Sequence, residues 1–347
     1  MERTAYEDWA EGEGIPIIRG YGADLGDVPV APWKRTEGLG AIVLLDGSEQ
    51  STATHVSEIP PGQSLKPQRH IFEELILILR GEGWTEIWRD GGPKRRVQWK
   101  AGSLLTIPLN AWHQHGNAGR EPARYFGFTN ATTLINLFRD EAFVFDSDQA
   151  FADRFNGEAD YFTRGQWLPS ERAHIWQASF IDDVVQIGIP EQRETMGKGY
   201  TRIHCEMPQN LLWTHIADME VGTYKKAHRH GSGAHIVVLK GEGYALLWPS
   251  EGGERVRVNW RPGTVYAPPT GWFHCHYNTT PETARHIAFH GASYRVGGKQ
   301  WKVDVSLRQG GDMLDYEDED PAIRKLYEEE LARRGVPVRM PPLKRTP

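Results

Sequence analysis

The segment AHRHGSGAHIVVLKGEG, residues 227–243, places His228 and His230 two positions apart, just before an apolar run that ends in a glycine turn. In extended chain, residues i and i+2 point to the same side, so the two imidazoles face one way. Such a pair can grip one metal ion if a third ligand arrives from another strand. His274, in WFHCHYN, is the candidate for that third ligand because it lies near the start of the strand that closes this stretch of sequence. Neutral imidazoles suit Fe(II), Mn, Zn, Ni or Cu, and the sequence does not choose among them. His276 lies two residues further along the same face, and it and Tyr224 are the candidate acid–base groups beside the metal.

The elements that must position these residues occur twice. Gly62, His70, Gly81 and Trp88 align with Gly222, His230, Gly241 and Trp248 at a constant shift of 160. One extra residue near Gly252 and Gly253 changes the shift to 161, which then pairs Trp99 with Trp260, His113 with His274, His115 with His276 and Arg124 with Arg285. A turn absorbs such an insertion without disturbing the strands around it. Each copy reads as an approach strand, a His-bearing strand, a glycine turn, a hairpin and a closing strand. Short β-branched and aromatic runs punctuated by 37 glycines and 22 prolines predict an all-β sandwich or barrel. The division expected is a first barrel at 1–130, a helical connector at 131–165, a second barrel at 166–316, and a C-terminal helix and tail at 317–347. Asp320 as N-cap, Pro321 in the first turn and Gly335 as stop predict that helix, with a structural role.

The first copy differs at its ligand positions. Gln68 stands where the second has His228, followed by His70, Glu74 and His113. Gln68 is a poor ligand, but two imidazoles and a carboxylate form a feasible second metal set. Glu73 alternates to the other face. His55, His174, His204, His215 and His290 read as hydrogen-bonded core residues, and Cys275, Trp88, Trp99, Trp248 and Trp260 as packing. Arg229 and His235 face away from the metal.

The pattern Gly222, His228, His230, Gly241, then Gly263, Pro269, Gly271, His274 and Asn278 resembles the two motifs of the cupin superfamily. Because both repeats carry it, the chain resembles a bicupin. The resemblance implies tandem cupin (double-stranded β-helix, jelly-roll) barrels with a few connecting and C-terminal helices, and a metal inside the barrel. Many cupins place a glutamate four residues after the second histidine, a position held here by Ala234. The resulting three-histidine set is similar to that of gentisate 1,2-dioxygenase-like bicupins, which use Fe(II) and O2 to cleave an aromatic ring. In those relatives the first cupin typically carries the metal, whereas here the second is the complete one.

Three imidazoles leave a divalent ion its full charge and three open positions, two for a chelating anion and one for O2. The leading expectation is therefore an Fe(II) dioxygenase cleaving a C–C bond in a small aromatic diol, hydroxy acid or diketone. The alternatives are a non-oxidative isomerase, hydrolase or decarboxylase, and a non-catalytic binding cupin. An oxalate-decarboxylase-like reading is disfavoured here because such enzymes resemble cupins that keep the glutamate.

The partners expected are a small molecule and O2. A net charge of −6 without a basic block argues against nucleic acid. The acidic N-terminus and the lack of a long apolar stretch predict a cytoplasmic protein without a membrane span. Two cysteines, Cys205 and Cys275, are too few for a disulfide framework. A homo-oligomer is expected from the resemblance and from exposed strand edges.

Overall fold

The computed structural model describes residues 3–48, 51–170, 173–192, 194–231, 234–291 and 301–343. Among these, the strands form two large and two small sheets, one of each per repeat. In the first repeat, Gly38–Leu45, Ala53–Ile59, Ala123–Thr129, Glu74–Arg80 and Leu104–Ile107 build the large sheet, which faces the small sheet Trp112–Asn117, Glu82–Trp88 and Arg95–Lys100. The second repeat matches it with Tyr200–Glu206, Trp213–Met219, Ala284–His290, His235–Lys240 and Thr264–Tyr266, facing Val256–Trp260, Gly243–Trp248 and Phe273–Asn278.

Period-2 alternation gives each large sheet two different buried faces. Phe126 and Phe128 of one sheet meet Phe289 of the other, with ring centroids 5.4 Å apart in both cases. They belong to a single apolar core that joins the repeats and includes Val56, Leu75, Ile216 and Val237. The alternate residues, Tyr125 and Thr129 in the first repeat and His286 and His290 in the second, turn toward the barrel interiors. Burial on both faces explains why Glu74–Arg80 reads ELILILR rather than alternating apolar and polar. Gly127 sits on the interior face, where a Cβ would fall 2.1 Å from the His55 ring. Only glycine lets that imidazole lie over the strand.

The repeats exchange edge strands. Gly22–Asp24, from the N-terminal part, pairs with Thr264–Tyr266, and Phe180–Ile181 pairs with Leu104–Ile107 of the first repeat. These two strands cross the division drawn from the repeat boundaries. The Arg124/Arg285 pair of the sequence alignment secures the exchange. Arg124 is ion-paired to Glu58 at 2.8 Å and donates to the carbonyls of Leu25, Gly26 and Val28. Arg285 does the same with Asp218 at 2.7 Å and the carbonyls of Val185 and Ile187.

In the connector, helices Ala131–Phe138 and Glu141–Asp146 pack on the first barrel through Ala131, Ile135 and Val144. The C-terminal helix is Pro321–Arg334, capped by the Asp320 side chain and ended by Gly335 at φ 66°. It covers the outer face of the second small sheet through Ile323, Tyr327 and Leu331. No helix among the described residues is long and apolar enough to cross a membrane.

Candidate metal centres

His228, His230 and His274 converge, their ligand atoms lying within 4.8 Å of one another. The local backbone differs from the strand expected for the first two. Residues 225–230 run extended but outside any regular strand, which begins only at His235. His228 is held by an isolated bridge to His274, with its N–H donating to the His274 carbonyl at 3.1 Å and the reverse bond at 2.9 Å. His230 accepts at its carbonyl from the Gly271 N–H, which ties it to the same loop as His274.

Each imidazole is oriented through its inner nitrogen. Nδ1–H of His228 donates to the Lys226 carbonyl at 3.3 Å, that of His230 to Gly231 at 2.9 Å and that of His274 to Trp272 at 3.3 Å. These bonds fix the tautomer that leaves Nε2 with its lone pair toward the common centre. Burial drives the pKa of His228 and His274 well below the ordinary range, with Lys225 and the neighbouring imidazoles adding to it. His230 is brought down to about 4, also chiefly by burial. Three neutral, convergent, pre-oriented nitrogens fit a divalent metal ion.

The acid–base candidates separate. On Phe273–Asn278, His274 and His276 face the interior, while Phe273, Cys275 and Tyr277 face outward into a cluster with Tyr224, Tyr244 and Tyr327. His276 is therefore in the site, where its Nδ1 is hydrogen-bonded to the Tyr266 hydroxyl at 2.6 Å. Burial raises the pKa of that phenol well above its ordinary value, so it remains a hydroxyl that can donate to Nδ1 or accept from it. Tyr224, by contrast, is corrected: its hydroxyl donates to Glu319 at 2.7 Å beneath the C-terminal segment, on the wrong face for the metal. Regular alternation fails across 224–228, and it is Lys225 that turns inward. Its Nζ lies 3.0 Å from His228 Nε2 and 4.6 Å from the centre of the Tyr200 ring. Lys225 is 3% exposed, and burial, with Arg202 adding, depresses its pKa well below the usual amine range.

Sequence reading missed Lys225. The signal was present at shift 160, where the buried Leu65 stands opposite a lysine. It also left His215 and His290 as ordinary core. They form a pair, Nδ1 to Nε2 at 2.8 Å, and the His290 ring centre lies 6.2 Å from that of His230. Cys275 donates to the Lys225 carbonyl, Arg229 pairs outward with Asp312, and His235 packs on Phe128 of the first repeat, all away from the metal ligands.

In the first barrel His70, Glu74 and His113 also converge within 4.8 Å. Nδ1–H of His70 donates to Phe72 and that of His113 to Ala111, so both Nε2 atoms point at the centre. His113 Nε2 is buried without a partner. His70 Nε2 meets a Glu74 oxygen at 3.2 Å, and His55 Nε2 lies 3.4 Å from the other oxygen. Burial raises the Glu74 pKa, but the hydrogen bond with His70 and the charges of the surrounding imidazoles outweigh it and hold the value at about 2. An orphaned imidazole nitrogen beside an ionised carboxylate also fits a metal ion. Gln68 lines the adjoining cavity with His55, Trp33 and Phe72, and its backbone bridges His113. Glu73 faces away from this interior, as expected, and accepts from the backbone N–H groups of Leu211 and Leu212 across the repeat interface.

Comparison with known proteins bears on the fold. Residues 55–129 match the cupin domain family. No curated protein matches the chain by sequence. Similar solved structures include an oxalate decarboxylase studied for proton-coupled electron transfer, at 14% identity and TM-score 0.51, covering 78% of this chain and 77% of that one. A mutant of Bacillus subtilis oxalate decarboxylase matches at 13% identity and TM-score 0.51, covering 80% and 79%. The Bacillus subtilis enzyme at pH 4.6 matches at 13% and 0.51, covering 79% and 76%. These matches support two cupin barrels in tandem and give no support to the gentisate-dioxygenase resemblance.

Proposed function

We propose that this chain, a bicupin in fold, is a metal-dependent enzyme whose second barrel removes CO2 from a small carboxylate substrate without using O2. The observation that carries the reading is Lys225, a buried amine 3.0 Å from the Nε2 of His228, on the ligand side of the barrel. Decarboxylation needs an electron sink and a group that returns a proton to carbon. A divalent ion held by His228, His230 and His274 would supply Lewis acidity, with Mn or Zn as suited to it as Fe(II).

The chain's own residues account for the remaining chemistry. Lys225 acts in its ammonium form, which the charge of the entering substrate carboxylate restores against the burial: as the C–C bond breaks, CO2 leaves, the electron pair stays on carbon, one ammonium proton completes the new C–H bond, and the neutral amine left behind takes a proton from water before the next turnover. With the Tyr266 hydroxyl donating to its Nδ1, His276 would present Nε2–H toward the substrate. The lysine also answers the objection that the glutamate of oxalate-decarboxylase-like cupins is replaced by Ala234, since it supplies an acid–base group from a different position. The fold likeness to oxalate decarboxylases agrees with this reading.

One observation favours the oxidative alternative, namely the ligand set free of carboxylate, which suits an Fe(II) centre that awaits a chelating, electron-rich substrate before meeting O2. The test is to load the protein separately with Mn, Zn or Fe(II) and to measure anaerobic CO2 release from oxalate, malonate and oxaloacetate. Release without oxygen, abolished in His228→Ala, is the expected result. Oxygen uptake by the Fe(II) form with a catechol or hydroxy acid, and no anaerobic CO2, would overturn it in favour of a dioxygenase. Neither activity in any form would leave a binding protein.

A further inference from the structure

We infer that the C-terminal segment 301–340 is a working part of the second metal centre, with Asp312 and Tyr316 as positioning residues for His228 and Lys225. Residues 222–229, which carry both side chains, lack the ladder of a regular strand on either side. Their backbone is instead stitched to the C-terminal segment. The Gly222 carbonyl accepts from Arg339 N–H, that of Thr223 from the Tyr327 hydroxyl at 2.8 Å, that of Tyr224 from the Tyr316 hydroxyl at 2.6 Å and that of Ala227 from Leu314 N–H at 2.7 Å. Arg229 N–H donates to the Asp312 carbonyl at 3.0 Å.

His228 is consequently the middle rung of a three-part ladder, bridged to His274 on one side and to Met313 on the other. The outer rung is itself braced. Asp312 takes the Arg229 guanidinium at 3.1 Å and the Lys302 N–H at 3.1 Å, while Asp315 takes Lys226 at 2.7 Å. Tyr316 and Asp315 grip Tyr224 and Lys226, the residues on either side of Lys225, so the same brace sets the direction of its amine. In the first barrel the corresponding middle rung, Gln68, is bridged to His113 alone among the described residues. The extra rung thus coincides with the complete imidazole set.

A ligand's outer partners typically govern metal affinity by roughly 10- to 100-fold. The experiment uses the full chain carrying His113→Ala, which silences the first barrel, and titrates Co2+ into it, reading affinity and the visible absorption bands that report ligand geometry. Tyr316→Phe and Asp312→Ala are each expected to weaken Co2+ binding by about 10-fold or more and to alter the bands while the variants remain folded by circular dichroism. Folded variants with unchanged affinity and bands would overturn the inference and reduce the segment to a cover. Should Asp312→Ala fail to fold, Tyr316→Phe decides, because it removes one hydroxyl only. The Lys225 part rests on the proposed decarboxylation, whereas Co2+ binding does not. A protein that binds Co2+ normally and decarboxylates nothing would end that reading and leave the His228 result standing.

Discussion

The two barrels share a backbone and differ in what fills them. At equivalent interior positions the first carries His55, Leu65, Gln68, Glu74, Leu105, Tyr125 and Thr129, and the second His215, Lys225, His228, Ala234, Tyr266, His286 and His290. Gln68, Tyr125 and Thr129 thus give way to imidazoles, Leu65 to an amine and Leu105 to a phenol, while the one acid, Glu74, gives way to alanine. The charge left on a bound divalent ion differs as well: Glu74 neutralises one unit in the first set, and the three histidines of the second neutralise none. A substrate must supply that compensation in the second barrel, which favours a chelating anion there. The sheets fix where side chains converge, and a handful of substitutions decide which chemistry converges with them.

Removing a ligand should break the comparison most severely. His228→Ala is expected to abolish stoichiometric metal binding in the second barrel, a loss greater than the ~100-fold typical of an outer partner, and to leave the first site intact. Metal counted per chain in this variant and in His113→Ala checks it; equal losses in both would mean that the sites are not independent. Lys225→Met should come next, keeping the metal while lowering CO2 release by roughly 10²- to 10⁴-fold, the usual contribution of a proton-transfer group. If metal binding falls along with activity, Lys225 serves the ligand His228 and not the substrate.

Much of this contrast was legible in the sequence. The constant shift between repeats exposed the duplication; the His-x-His spacing pointed to His228, His230 and His274, and the repeat alignment with the cupin resemblance pointed to His70, Glu74 and His113. Lys225 was hidden because alternation holds only in regular strands, and 224–228 is extended chain held by isolated bridges. The same irregularity turned Tyr224 outward. The role of His215 and His290 depended on sheet register, which places them on the face opposite the shared core. The strand exchange joins residues more than two hundred positions apart, as in Ala23 with Val265, and has no local signature.

Acid should separate the barrels next. Burial, with Lys225 adding, holds His286 at about 3, and His230 is held at about 4. The unfolded chain binds these protons near the ordinary value of 6.5, so between pH 6.5 and 4 it binds more protons than the folded chain. Their neutral burial is therefore fully tolerated above pH 6.5, and the resulting stability drains away as pH falls toward 4. Glu74 has the opposite chemistry: held at about 2, it adds stability that is complete above 4.5 and is lost only between 4.5 and 2. His115, at about 4, gives the first barrel a smaller share of the histidine liability. In metal-free protein, His286→Gln should lose less stability than the parent between pH 7.5 and 5, by on the order of 2 kcal/mol in denaturant titrations. Parallel losses in the two proteins would place the acid sensitivity elsewhere.

The smallest expected effect concerns a single hydroxyl. Tyr266 occupies the position of Leu105, and in the proposed mechanism its O–H donates to His276 Nδ1 and so sets the proton on Nε2. Tyr266→Phe removes the donor and keeps the ring, so the barrel wall should stay packed and His228, His230 and His274 should bind metal as before. His276 is then free to take either tautomer, and only one presents N–H to the substrate. A hydrogen bond of this kind contributes about 1 kcal/mol net, so CO2 release should fall several-fold, far less than in Lys225→Met. Unchanged turnover would make His276 part of the wall; a loss as deep as that of Lys225→Met would make His276 the proton donor and Lys225 its neighbour. The outcome decides which of two nitrogen groups carries the chemistry: Lys225, whose place in the first barrel is taken by Leu65, or His276, whose counterpart there is His115.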